Sequence, residues 1–318
     1  MSSEKNRSKP QPQVQDERVF CNLERLLSLK QQASQIKLDA RYRPAGLLSG
    51  RHRSRLRGQG MNFEELRGFR TGDSIRNIDW KASAHSRQKL VRIYSEETDR
   101  PTAILVDQRR SLFFGSQQRT KSVTAAEVAA MLAWMVLDGG DRLGSVVFNN
   151  EQQTSLRPAR SNQSAMRLFE TICEYNQQLT PGANSPDDEV TLDSVLARAG
   201  GYVGSNGTLI LVSDGDGLVD EHLDHLEYLA QRLNVLVFLI ADPLEHSISD
   251  IKRLVVSDGD RQIELSDNPD AQEKFAAQYS EQVRAIQEKV EAHGLPFGVI
   301  ETVQDVDTQL QTLFGVNR

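Results

Sequence analysis

Two aspartates, Asp107 and Asp214, each close a short apolar run, at 103–106 and 209–212. Runs of that length suit strands covered on both faces. A carboxylate at such a strand end either holds a cation or accepts from backbone N–H groups that open a nearby helix. Arg109 adds a permanent positive charge to the first of these stretches. The stretch Ser213-Asp214-Gly215-Asp216-Gly217 has some flavour of a calcium loop, but lacks the later glutamate of an EF-hand.

Other signatures of chemistry are missing from the sequence. It contains no GxxxxGK[ST] phosphate loop, no HExxH and no GxSxG. His222 and His225 flank Asp224 on an expected surface helix, a pattern that suits a solvated face. The two cysteines, Cys21 and Cys173, are far apart and form no CxxC or Cys/His cluster. That argues against zinc and against a disulfide-stapled secreted scaffold, and it fits a reducing compartment. The expectation is a non-enzymatic, cytoplasmic protein. A net charge of −6 over 318 residues favours solubility and specifies no partner. No apolar run reaches the ~18 residues of a membrane helix.

The elements that position these residues follow from periodicity. Residues 1–15 are polar and read as a disordered tail. Val19, Phe20, Leu23, Leu26 and Leu27 predict a helix over about 17–38, with Asp16 as its N-cap and Arg43-Pro44 as its break. Arg41, Arg43, Arg51, Arg53, Arg55 and Arg57 then lie among Gly46, Gly50, Gly58 and Gly60, a basic loop or pair of short strands. Alternation over 90–95 predicts a strand. After Pro101 apolar strands at 103–106, 145–148, 209–212, 235–240 and 297–300 alternate with helices at 125–137, 165–175, 192–199, 218–233, 271–292 and 306–314. Leu156 closes a short hairpin, and a second hairpin turns at Asp258-Gly259. Phe275, Tyr279, Val283, Ile286 and Val290 form the apolar stripe of the helix over 271–292. The fold class is α/β, a mostly parallel sheet with helices on both faces. Ligand sites in such sheets lie beyond the carboxyl ends of the strands, where Asp107 and Asp214 fall. The expected division is a tail over 1–15, a helix and conserved segment over 16–100, and an α/β domain over 101–318.

The α/β domain over 101–318 resembles the von Willebrand factor A family, a Rossmann-like fold. That resemblance implies a metal-ion-dependent adhesion site, usually holding magnesium, built from an Asp-x-Ser-x-Ser stretch, a threonine and a later aspartate. The matching positions are Asp107, Ser111, Thr191 and Asp214. Arg109 departs from the pattern, standing where the first serine belongs. A hydroxyl is a ligand for a hard cation; a guanidinium is not. The site is therefore expected to be degenerate, with Arg109 as counter-charge to Asp107 or Asp214. The simpler alternative puts Arg109 in solvent and both carboxylates on helix caps.

A more specific resemblance covers residues 46–97. Gly58-Gln59-Gly60-Met61-Asn62-Phe63-Glu64-Glu65-Leu66-Arg67, then Gly72-Asp73-Ser74-Ile75-Arg76-Asn77-Ile78-Asp79-Trp80, then Ser83-Ala84 and Leu90-Val91-Arg92 are similar to the bacterial family named domain of unknown function 58. Phe69 and His85 replace its usual Tyr and Arg. The resemblance implies a von Willebrand A-type domain and a role as adaptor or co-chaperone of a MoxR-type AAA+ ATPase acting on client proteins. Within the segment, Arg67, Gly72, Asp73, Arg76, Asp79, Trp80 and Arg92 are the motif residues. Asp73, Arg76 and Asp79 share a face at helical spacing, and Trp80 reads as a buried anchor. A structural ion network is the plainer reading of these charges.

Two functional classes remain at this point. One is a protein-interaction module that uses the strand-end pocket or the arginine loop. The other is nucleic-acid binding by the loop from Arg41 to Arg57, which the net negative charge and the shortage of interleaved aromatics disfavour.

Overall fold

The computed structural model describes residues 16–36, 61–70, 73–86, 88–96, 101–180, 190–203, 207–243, 255–257, 262–264, 281 and 284–314. The expected tail over 1–15, the arginine loop and Gly72 lie outside these residues, as do Phe275, Tyr279 and Val283. Two compact units divide the chain, Met1–Arg51 with Arg100–Arg318, and His52–Asp99.

The larger unit is built on a six-stranded sheet. Its strands are β3 (Pro101–Asp107), β4 (Arg142–Phe148), β5 (Gln153–Ala159), β6 (Thr208–Ser213), β7 (Asn234–Ala241) and β10 (Phe297–Glu301), in the order β10-β7-β6-β3-β4-β5. All neighbours are parallel except β4 and β5, which form an antiparallel edge pair. Counted along the chain, this is the doubly wound order 3-2-1-4-5-6, which reverses between β3 and β6. Parallel strands need long crossovers, and helices supply them.

Side-chain alternation explains why these strands read as continuous apolar runs. Ile104 and Val106 of β3 join one core with Ile210, Val212, Leu236, Phe238 and Ile240. Ala103 and Leu105 join a second core with Leu209, Leu211, Val235, Val237 and Leu239. The first core is covered by α1 (Leu23–Gln35), α3 (Lys121–Asp138), α4 (Asn162–Gln177) and α8 (Val306–Leu313). The second is covered by α5 (Leu192–Val203), α6 (Asp220–Ala230) and α7 (284–292). Ile286 and Val290 of the expected stripe are buried there.

The N-terminal helix is shorter than its periodicity suggests. Asn22, not Asp16, caps it by accepting from the Glu24 N–H at 2.8 Å. Asp16 is engaged earlier, receiving the backbone N–H and guanidinium of Arg18. Leu26, Leu29 and Ala33 place α1 in the core of the larger unit. Trp134 Nε1 donates to the Leu26 carbonyl at 3.2 Å, and the Arg25 guanidinium donates to buried Glu127 at 2.8 Å. By its contacts α1 therefore goes with the sheet after residue 100, although it precedes the motif segment in sequence.

The smaller unit pairs β1 (Met61–Gly68) with β2 (Leu90–Glu96) as an antiparallel ladder with an irregularity between Phe63 and Glu65. The strand over 90–95 is foreseeable from alternation. β1, carrying Asn62, Glu64, Glu65 and Arg67, has too little apolar content to announce itself. α2 (Trp80–Ser86) opens at Asp79, whose carboxylate accepts from the N–H groups of Lys81 and Ala82, both at 3.0 Å. Elsewhere in the chain, β8 (Val255–Ser257) and β9 (Gln262–Glu264) form the hairpin expected there.

Candidate functional site

The reversal of strand order brings β3 and β6 side by side, with Val106 opposite Val212. Their next residues, Asp107 and Ser213, point to the same face, and Ser213 Oγ donates to Asp107 Oδ2 at 2.7 Å. Asp214 follows one residue further, just past the end of β6. Both carboxylates are buried, at 0% exposure for Asp107 and 7% for Asp214. Burying two carboxylates requires compensation.

Arg109 compensates Asp107. Its backbone N–H donates to Asp107 Oδ1 at 2.9 Å, Nε reaches Oδ1 at 3.0 Å, and Nη2 reaches Oδ2 at 2.7 Å. Nη2 also donates to the Asp216 carbonyl at 2.9 Å, which ties the β3 loop to the β6 loop. The guanidinium carbon lies 5.7 Å from the centre of the Phe148 ring. Burial works against the charge on Arg109, but Asp107 and Asp214 outweigh it and its pKa rises.

Asp214 is matched by Lys121, the first residue of α3, whose Nζ donates to Oδ2 at 3.0 Å. Ser111, in a single 3₁₀ turn over Arg110–Leu112, donates to Oδ1 at 3.3 Å, and the Asp216 N–H donates to Oδ1 at 3.1 Å. Burial pushes the Asp214 carboxyl up, yet the Lys121 ammonium, the Asp216 N–H and Arg109 overcome it and hold it below the usual carboxylate range. Asp216 goes the other way: partial desolvation, then the Asp214 charge, raises it.

Of the expected set, Asp107, Arg109, Ser111 and Asp214 form one network. Thr191 does not share its hydrogen bonds: its Oγ1 accepts from the Ser194 N–H at 3.3 Å in the first turn of α5. This donor set does not suit a hard divalent cation. Such an ion needs about six oxygens, whereas these carboxylate oxygens already accept from a guanidinium, an ammonium, two hydroxyls and backbone N–H groups. Two fixed cations would also repel it.

Lys121 escapes the sequence reading, although a signal is present. The first turn of a helix disfavours positive charge, so a lysine opening an apolar helix implies a buried anion above it. A third strand-top carboxylate, Asp242 after β7, carries the same end-of-run signal as Asp107. It is fully buried and accepts from the Ser116 N–H at 3.0 Å and from Thr302 Oγ1 at 2.6 Å. His222 is buried rather than solvated: its Nδ1 accepts from the Val219 N–H at 3.2 Å, and Nε2 lies 3.3 Å from Asp193 on α5.

In the smaller unit two of the motif aspartates have visible partners. Arg67 forms a two-pronged pair with Asp73, Nη1 to Oδ2 at 2.9 Å and Nη2 to Oδ1 at 2.8 Å. Asp79 caps α2. Arg76 lies in the 3₁₀ turn over Ile75–Asn77, and Arg92 lies opposite Leu66 in the ladder. Trp80 is no buried anchor: it is 63% exposed, and Ile75 is 66% exposed.

The family model described as "Protein of unknown function DUF58" matches residues 65–289. The chain belongs to the DUF58 family. Among its relatives, the uncharacterized protein Rv1480 of Mycobacterium tuberculosis is 24% identical over 272 residues, covering 85% of this DUF58 chain and 84% of the relative. The uncharacterized protein Mb1516 of Mycobacterium bovis matches to the same extent. Among solved structures, proximal thread matrix protein 1 from the mussel byssus shares 15% identity at a TM-score of 0.30, covering 45% of this chain and 37% of that one. That likeness is too slight to bear on the function of the DUF58 chain. The DUF58 match takes in both units, so the paired Arg67 and Asp73 and the Asp107–Asp214 network both fall within it.

Proposed function

We propose that this chain is a non-enzymatic protein-interaction module with a von Willebrand A-like larger unit whose ancestral metal site has become metal-independent. The strand order with its antiparallel edge pair and the position of the site at the switch between β3 and β6 support that descent. The observation that carries the reading is the double charge match, Arg109 on Asp107 and Lys121 on Asp214. A carboxylate held in a fixed ion pair is neither a mobile general base nor an open metal ligand; it sets the shape and charge of the surface above it. Exposed Ile75 and Trp80 in the smaller unit add apolar area of the kind that protein partners cover. Following the family resemblance, the partner is a MoxR-type AAA+ ATPase, with a client protein as the third component, in a cytoplasmic, chaperone-like role.

The test is affinity capture of a MoxR-type ATPase from a bacterial cytosol by wild-type protein, Arg109→Ser and Asp214→Ala, each with and without magnesium. The proposal expects capture by wild type in both conditions and its loss in a folded Asp214→Ala variant. Capture that requires magnesium, or no capture of an ATPase at all, overturns it.

A further inference from the structure

The two cysteines are 152 positions apart in sequence, yet the fold brings them into contact. Cys21 immediately precedes the cap of α1, and Cys173 lies in α4. Their sulfurs are 3.4 Å apart, with the Cys21 thiol donating to Cys173 Sγ. Both are free thiols and both are buried, at 4% and 7% exposure. Closing about 1.4 Å would bring them to bonding distance. That hydrogen bond, with burial opposing it, holds the Cys173 thiol below the usual thiol range, whereas the same bond and burial push Cys21 up.

The residues around Cys21 give this pair something to control. Its backbone N–H donates to Asn176 Oδ1 at 2.7 Å. Asn176 Nδ2 donates to Gln108 Oε1 at 3.0 Å, and Gln108 Nε2 donates to the Ser122 carbonyl at 3.0 Å. Asn176 and Gln108 are fully buried. Gln108 stands between Asp107 and Arg109, and Ser122 follows Lys121, so the relay ends on residues that adjoin both halves of the charge-matched site in sequence. α1 itself leads in sequence toward the arginine-rich stretch.

We propose that Cys21 and Cys173 are a redox modification site: a hydroperoxide converts them to a reversible disulfide that clamps the start of α1 onto α4. The Cys173 sulfur attacks one peroxide oxygen and the O–O bond breaks. The departing oxygen takes the Cys173 proton, leaving Cys173 as a sulfenic acid and one water (or alcohol). The Cys21 sulfur then attacks the sulfenic sulfur, the S–S bond forms, the S–O bond breaks, and hydroxide leaves with the Cys21 proton as water. Two electrons pass from the thiols to the peroxide. A cellular dithiol reverses the bond by exchange.

The experiment treats the full chain with hydrogen peroxide, then measures thiols in denaturant and maps linked peptides by mass spectrometry. The titratable thiols should fall from two per chain to zero, with a Cys21–Cys173 peptide in a monomeric species and full recovery on reduction. Backbone amide exchange across α1, compared between the oxidised and reduced wild-type protein, should slow by about tenfold or more. This comparison needs no substitution that unfolds the chain. Cys21→Ala and Cys173→Ala should each retain one thiol and form no intrachain link. Intermolecular dimers, separate sulfinic or sulfonic acids, two thiols persisting after peroxide, or unchanged exchange in α1 would each overturn the proposal.

Discussion

Lys121 opens α3 with its ammonium 3.0 Å from a carboxylate oxygen of Asp214, and both residues are buried. The lysine sits where the helix dipole repels it, and the aspartate sits where desolvation repels it; each is tolerable because of the other. Lys121→Met leaves a buried, unmatched charge. It should lower unfolding free energy by about 3–5 kcal/mol in urea titrations. The pair Lys121→Met with Asp214→Leu should recover much of that loss, because no charge is then stranded. A single-variant cost below about 1 kcal/mol would show that the pair is not buried in solution.

Acid should find the same group. Asp214 is held below its ordinary pKa in the folded protein, so its contribution to stability is complete above the unfolded value of about 3.9. It is lost as pH falls from there through the folded value. Urea midpoints measured over that window should drop more steeply for wild type than for Asp214→Asn, which has no proton to bind.

Asp216 carries the opposite sign. Its folded pKa is raised, so the folded state binds a proton more readily than the unfolded chain and the ionised carboxylate costs stability at neutral pH. Asp216→Asn should therefore raise the melting temperature at pH 7, by an amount equivalent to less than about 1 kcal/mol at so exposed a position. The gain over wild type should vanish at acid pH, once the wild-type carboxyl is protonated. A variant that melts lower at pH 7 contradicts this reading.

The larger fold was legible because its strands are fully covered: runs such as 209–212 and 235–240 have no polar face to interrupt them. β1 was not legible, since Asn62, Glu64, Glu65 and Arg67 carry neither a run nor a clean alternation, and only its ladder with β2 defines it. Trp80 misleads for a related reason: size suggests burial, but large aromatics are frequently partly exposed. At the site, Asp107 and Asp214 are readable because they lie at the ends of apolar runs, and Arg109 because it stands two positions after Asp107. Lys121 is not, because its partner lies 93 positions away and only the strand order brings them together. The cysteines fail the same way, with 152 positions between them.

Trp80→Ala separates docking from stability. A side chain 63% exposed contributes little to the core, so the substitution should change unfolding free energy by no more than about 0.5 kcal/mol. It should nevertheless weaken capture of a protein partner, read as a lower yield of co-purified ATPase at equal bait. A large loss of stability with unchanged capture would make Trp80 structural.

The most direct test of a metal-independent pocket is isothermal titration of magnesium into wild-type protein, with Arg109→Ser in parallel. The ion pairs at Asp107 and Asp214 predict no binding heat for wild type at millimolar magnesium, and binding that emerges once the guanidinium is replaced by a hydroxyl. Saturable magnesium binding by wild type, abolished by Asp107→Ala, would contradict the account.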